Sequence, residues 1–208
     1  MSLPPTRSRE QTRARLLDAA VLVFGEVGLA GASVEAICER AGFTRGAFYS
    51  NFASKEELFI QLASSLADAR LTAVDAQVRQ LVDSGVSLDS ASLGSLVSQV
   101  MDSVSHDRTS VMMMNEIRTH ALRDKQFAAA YIEQEESIFR SVEGIIGWLV
   151  ESGAVSMHTD TATAARMLVT VWEGAVVRLA LEGADDDALA AAGNAELSAL
   201  VGLLVSSD

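Results

Sequence analysis

SVEAICERAGFTRGAFYSNF, residues 33–52, is the stretch whose reading decides the fold. Val34, Ile37, Cys38 and Ala41 recur at the i, i+3, i+4, i+7 spacing of one helical face. Ser33 precedes that face and is a good N-cap, because its hydroxyl can accept from an unpaired amide of the first turn. Gly42 follows it and can take the left-handed conformation that ends a helix without steric cost. Thr44 offers a second N-cap two residues later, and Phe48 and Phe52 give the new helix an apolar face. Two short capped helices joined by a glycine turn must cross steeply, and the small Cys38 and Ala41 let them cross closely. The pattern predicts a helix-turn-helix with its second helix over 44–50.

The outward residues of that second helix are Thr44, Arg45, Gly46, Ala47, Tyr49 and Asn51, without a carboxylate among them. A solvated helix usually mixes both charge signs. One that lies against phosphates and base edges carries donors and small residues instead. The plainer alternative is an ordinary αα-hairpin. Lys55 sits in the first turn of the helix that follows, where the dipole disfavours a cation. A phosphate nearby would explain it.

The segment Ala41–Leu58, AGFTRGAFYSNFASKEEL, resembles the DNA-binding signature of the TetR family of bacterial regulators. Tyr49, Asn51, Phe52 and Lys55 stand at the motif positions, with Asn51 where histidine is frequent. The resemblance covers about residues 10–60. It implies that Ser33, Thr44, Arg45, Gly46, Ala47, Tyr49, Asn51 and Lys55 contact DNA. It also implies a dimer and a small-molecule pocket in the remaining helices.

Composition agrees with an all-α fold of about nine helices. The chain has 208 residues, 49% of them apolar, and its two prolines are Pro4 and Pro5, so nothing after residue 5 forbids a helix. No sustained alternation marks a strand. No apolar run approaches the roughly 18 residues of a membrane span. With no secretory leader visible and Cys38 as the single cysteine, the expected compartment is the cytoplasm. The net charge is −12, yet residues 1–60 hold seven basic and seven acidic residues, so the remainder carries all of it. His106, His120 and His158 are scattered without metal-ligand spacing, and neither a glycine-rich phosphate loop nor a nucleophile elbow occurs. No catalysis, metal or cofactor is expected.

Taken in order, a first helix starts at a capping box of Ser8 and Gln11 and ends near Gly28. Arg7, Arg9, Arg13 and Arg15 cluster at its start, as candidates either for phosphate contact or for solvation. Ser54 and Glu57 form a second capping box, opening a helix with no breaker before Asp83. Leu58, Leu62, Leu66, Ala69 and Ala73 mark its face. Further helices are expected over about 92–104, 109–122, 125–152, 160–182 and 186–205. Residues 1–53 are read as the DNA-binding domain and 54–208 as the effector-binding and dimerisation domain. The helices 160–182 and 186–205 are apolar almost all round and need a cover, which a homodimer interface would supply.

The run Val111-Met112-Met113-Met114 spans nearly a full turn, so its side chains cannot all face one core stripe. Methionine adapts its shape and suits a pocket for variable apolar ligands, although plain core is the commoner use. The candidate pocket residues are Met112, Met113, Asn115, Glu116, His120, Phe139 and Trp172. The function these features support is a dimeric, ligand-responsive transcriptional regulator. It is expected to be a repressor on a palindromic operator of double-stranded DNA, released by a small, largely apolar effector. The alternative is an all-α small-molecule carrier or enzyme whose helix-turn-helix is only structural.

Overall fold

In a computed structural model, residues 7–83, 108–190 and 194–206 are described. The chain is all-α. Helix α1 (Arg7–Gly31) is followed by α2 (Val34–Ala41), α3 (Arg45–Tyr49) and the 29-residue α4 (Lys55–Asp83). Then come α5 (Arg108–Ala121), α6 (Lys125–Glu151), α7 (Thr161–Glu182), α8 (Asp186–Ala190) and α9 (Asn194–Leu204). Two-residue strands β1 (Ser156–Met157) and β2 (Val205–Ser206) pair antiparallel, Ser156 opposite Ser206. That pairing ties the loop before α7 to the end of α9, which the sequence did not foretell because two residues cannot show alternation. The expected helix over 92–104 and its flanking loops lie outside the described residues. The expected 186–205 helix is described as α8 and α9.

The chain forms two compact units, Met1–Leu66 with Met112–Gln134, and Ala67–Val111 with Glu135–Asp208. The first is built around Leu16, Ala20, Phe24, Ile37, Phe48, Phe52, Leu58 and Phe59. Phe24 and Phe59 meet edge to face with ring centroids 4.7 Å apart. Ile117 and Ala121 of α5, with Phe127 and Tyr131 of α6, complete the same core. The helix-turn-helix therefore does not stand on its own hydrophobic residues alone. Leu62 belongs to this core as expected, whereas Leu66 and Ala69 lie outside the described side chains.

Among its described residues the second unit has three smaller clusters. Val74, Val78, Leu149, Val155 and Val201 form one, and Ile146, Ala164, Ala165 and Leu204 another. Val111, Val176, Ala180 and Leu189 form the third. Arg108 helps to fix it, donating from its backbone N–H to Asp186 at 3.0 Å and from its guanidinium to the Ala180 carbonyl at 2.9 Å. Asp160 caps α7 by accepting from the Thr163 amide at 2.8 Å, and Gly183 ends that helix at φ 85°.

Helix α1 carries one sharp interruption. Gly28 has φ 70° and ψ 173°, a region essentially open to glycine alone. The break frees the Leu29 amide, which donates to Glu116 Oε2 of α5 at 2.5 Å. A Cβ built on Gly28 would stand 2.8 Å from Glu116 Oε1. The expected end of α1 near Gly28 is thus a real break, followed by one more turn to Gly31. At the other end, α1 already includes Arg7 and Ser8, so its start lies ahead of the expected cap.

Candidate nucleic-acid interface

The helix-turn-helix is held by local caps that the residues themselves specify. Ser33 Oγ accepts from the Ala36 amide at 3.1 Å, and Thr44 Oγ1 from the Ala47 amide at 3.2 Å. Between them Gly42 sits at φ 73°, ψ 33°, with the Phe43 amide donating to the Cys38 carbonyl at 2.9 Å. Cys38 is buried in the crossing, and burial pushes its thiol above the ordinary value, with Glu35 adding to the rise. Phe48 and Phe52 are fully buried, ring centroids 5.7 Å apart. Burying each contributes roughly 1.5–3 kcal/mol. Five-residue α3 is too short to be stable by itself, and these two rings hold it to the core.

What α3 then presents outward is Thr44, Arg45, Gly46 and Tyr49, all exposed, with Ala47 half-buried. Tyr49 is 50% exposed although its ring also meets Phe48 edge to face. Arg45 Nη1 lies 2.7 Å from Glu35 Oε1, and its guanidinium stands 5.9 Å from the Tyr49 ring centroid. The Tyr49 hydroxyl, then Glu35, hold the guanidinium above its ordinary value. The surface around α3 therefore does include a carboxylate, supplied by α2 rather than α3. Ser33 is exposed at the start of α2 and keeps its hydroxyl proton for another acceptor.

Asn51 departs from expectation. It is turned inward and buried, with Nδ2 donating to the Ala47 carbonyl at 2.8 Å and to Ser50 Oγ at 3.3 Å. Helix α3 ends at Tyr49, so helical periodicity no longer sets the direction of Asn51. Its role is to close the end of α3, and it is not an outward donor.

The basic residues of α1 also have partners that sequence reasoning missed. Arg9 Nη2 donates to the Ser50 carbonyl and Arg13 Nη1 to the Asn51 carbonyl, each at 2.9 Å. Arg13 also lies over the Phe52 ring, 4.5 Å from its centroid. Arg15 donates to the Ala41 carbonyl at 2.9 Å and covers Phe43. These guanidiniums satisfy the carbonyl ends of α2 and α3 and complement their negative dipole ends. Arg40 makes two short bonds to the Glu26 carboxylate. Arg7 lies outside the described side chains.

Lys55 follows the same rule. Its Nζ donates to the Leu29 carbonyl at 2.9 Å and the Ala32 carbonyl at 2.7 Å. The unfavourable place of a cation in the first turn of α4 is thereby explained within the chain. One ammonium proton and the full charge remain for a phosphate. Ser54 caps α4, with Glu57 N donating to Ser54 Oγ at 3.1 Å, while Glu57 Oε2 accepts from the Ala53 amide and not from that of Ser54, so the expected box forms by half.

The candidate pocket residues are divided between the two units. Met112, Met113, Asn115, Glu116 and His120 belong to the first unit, Phe139 and Trp172 to the second. Met112 is exposed, while Met113 packs on the first core, because one helical turn cannot bury every side chain. Glu116 accepts from the Leu29 amide. His120 meets the Phe127 ring edge to face at 4.7 Å, Phe139 is covered by Arg166 at 4.6 Å, and Trp172 packs beside Val176. A polar group the sequence did not single out is Gln134, buried on α6, whose Oε1 has no hydrogen-bond partner. Among the described residues no cluster of His, Cys, Asp or Glu could hold a metal, and no helix is long and apolar enough to cross a membrane.

Comparison with known proteins agrees with this geometry. Residues 16–62 match the family model described as bacterial regulatory proteins, tetR family. The chain is 28% identical over 178 residues to the HTH-type transcriptional repressor KstR2 of Rhodococcus jostii, covering 83% of each chain. A crystal structure described as a TetR-family transcriptional regulator of Mesorhizobium loti superimposes with a TM-score of 0.73 at 21% identity, over 97% of this chain and 100% of that one. The regulator FadR of Bacillus subtilis, solved with stearoyl-CoA, superimposes with a TM-score of 0.69 at 20% identity, over 91% of this chain and 98% of that one.

Proposed function

We propose that this chain, a member of the TetR family of bacterial transcriptional regulators, works as a homodimeric cytoplasmic repressor and not as an enzyme. Residues 1–53 read an operator and residues 54–208 bind an effector and dimerise. The observation that carries the reading is the surface of α3. Thr44, Arg45, Gly46 and Tyr49 stand outward on a helix whose inner side is anchored by Phe48 and Phe52. Arg9 and Arg13 donate to carbonyls beyond its C-terminal end and keep their charge beside it. Bound to a neutral acceptor, a guanidinium still has N–H groups for phosphate.

Dimerisation is assigned to 160–182 and 186–205, where α7 leaves Met167 and Leu181 exposed and α9 leaves Leu203 exposed. A two-fold dimer would set two α3 helices on successive half-sites of a palindrome. The effector is read as a small, largely apolar molecule that binds the DNA-free form more tightly and so lowers operator affinity. Long-chain acyl-CoA is the first class to try, because the FadR neighbour was solved with stearoyl-CoA. The unpartnered Oε1 of Gln134 is a polar acceptor for such a ligand to use.

The test is fluorescence anisotropy on DNA from upstream of its own gene, titrated with salt, for the wild type, Arg45→Ala and Tyr49→Phe. Loss of a base-reading guanidinium costs about 1–3 kcal/mol, roughly 5- to 150-fold in affinity. If neither variant weakens salt-dependent binding, α3 is not the reading helix.

A further inference from the structure

All six basic residues of the N-terminal region 1–60 whose side chains are described are already bonded within it, but in two different ways. Arg9, Arg13, Arg15 and Lys55 donate to backbone carbonyls and so keep their whole charge. Arg40 and Arg45 are paired with carboxylates. The Arg40–Glu26 pair joins α2 to α1. The Arg45–Glu35 pair lies on the reading surface itself, joining α2 to the first residue of α3, with both side chains more than half exposed. An acid at that place opposes every phosphate that approaches, whatever the DNA sequence. It requires a use.

We propose that Glu35 is a specificity-determining residue, holding Arg45 for one base pattern while weakening its attraction to DNA in general. The inference rests on the reading of α3 as the DNA-binding helix. Non-specific binding comes from cations meeting phosphates and releasing their counterions. Arg45 paired with Glu35 adds no net charge to that term, and the carboxylate subtracts from it. At a preferred site the balance differs. The guanidinium has five N–H donors, and Glu35 engages one edge of it, leaving others for guanine O6 and N7 in the major groove. The carboxylate can meanwhile accept from a cytosine N4 amino group. Glu35 thus costs affinity at the wrong sequence and gives it back at the right one.

The experiment selects a duplex from a random library with the wild-type chain, then measures wild type and Glu35→Gln on that duplex and on a scrambled copy. Glutamine keeps the size of the side chain and removes its charge. The expected result is five- to tenfold tighter binding of Glu35→Gln to the scrambled duplex, with a salt slope steeper by about 0.9. Affinity for the selected duplex should stay unchanged or fall, so the ratio of the two drops at least about fivefold. In an Arg45→Ala background the same substitution should leave the ratio unchanged. Equal gains on both duplexes, or no change on either, overturn the inference and leave α3 as the reading helix. A wild-type chain that enriches no duplex overturns both together.

Discussion

Gly28→Ala tests how α1 is joined to α5. Alanine at φ 70°, ψ 173° occupies a region that costs of order 1–3 kcal/mol. Its Cβ would lie 2.8 Å from Glu116 Oε1 and 3.2 Å from Oε2, so the carboxylate must retreat. That side chain is flexible and can move, but its bond to the Leu29 amide then lengthens. A hydrogen bond to a charged acceptor is worth about 1.5–3 kcal/mol, and losing roughly half adds about 1 kcal/mol. The substitution should therefore destabilise by about 2–4 kcal/mol, or about 5–15 °C in Tm for a chain of this length. Urea unfolding followed by circular dichroism measures it. In a Glu116→Ala background only the backbone cost remains, so the double-mutant cycle should return a coupling near 1 kcal/mol. A Gly28→Ala protein within about 0.5 kcal/mol of wild type would refute the reasoning, because most surface substitutions fall in that range. Equal losses in both backgrounds would refute the part assigned to Glu116.

Two other predictions concern groups in the two units. Arg13→Ala removes the donor to the Asn51 carbonyl and the cation over Phe52, both part-exposed, and should cost about 1–2 kcal/mol of stability by urea unfolding. It should also weaken DNA binding, whereas a loss of binding without loss of stability would count against its role at the end of α3. Asp160 is held below its ordinary value of 3.8 by the backbone bond from Thr163. A depressed carboxylate stabilises the fold above its unfolded value, and that stability is lost as pH falls through the folded value. Asp160→Asn should thus lie below wild type in urea midpoint at pH 7, and the gap should close as pH drops below the folded value. A gap of equal size on both sides would mean that the charge of Asp160 contributes nothing.

The parts of the fold legible in the sequence are those that depend on spacing along the chain. Ser33 with Ala36, Thr44 with Ala47 and Ser54 with Glu57 are three residues apart, and the caps form as read. The apolar face of α2 and the burial of Phe48 and Phe52 follow from helical period. Contacts made by packing were not legible. Arg9 reaches across 41 positions to Ser50, Arg13 across 38 to Asn51, and Glu116 across 87 to Leu29. No local pattern marks such partners, since each is set by where two helices happen to meet. Asn51 illustrates the boundary between the two cases. It was read outward by extending the period of α3 two residues past the point where the helix stops.

The same distinction explains why net charge says little about the DNA surface. In the first unit, residues 1–66 hold seven basic and seven acidic residues and 112–134 hold three of each, so its balance is zero. The second unit therefore carries the whole −12. A zero balance would still give a weak field if every cation faced an acid. It does not, because Arg9, Arg13, Arg15 and Lys55 are held by carbonyls, which orient a cation without neutralising it. Three of these four capped ends belong to α2, α3 and the segment that follows α3, the elements that carry the outward residues. The bonds that make the short helices stable thus also place unneutralised charge beside them, so that under the proposed function stability and phosphate contact would draw on the same side chains.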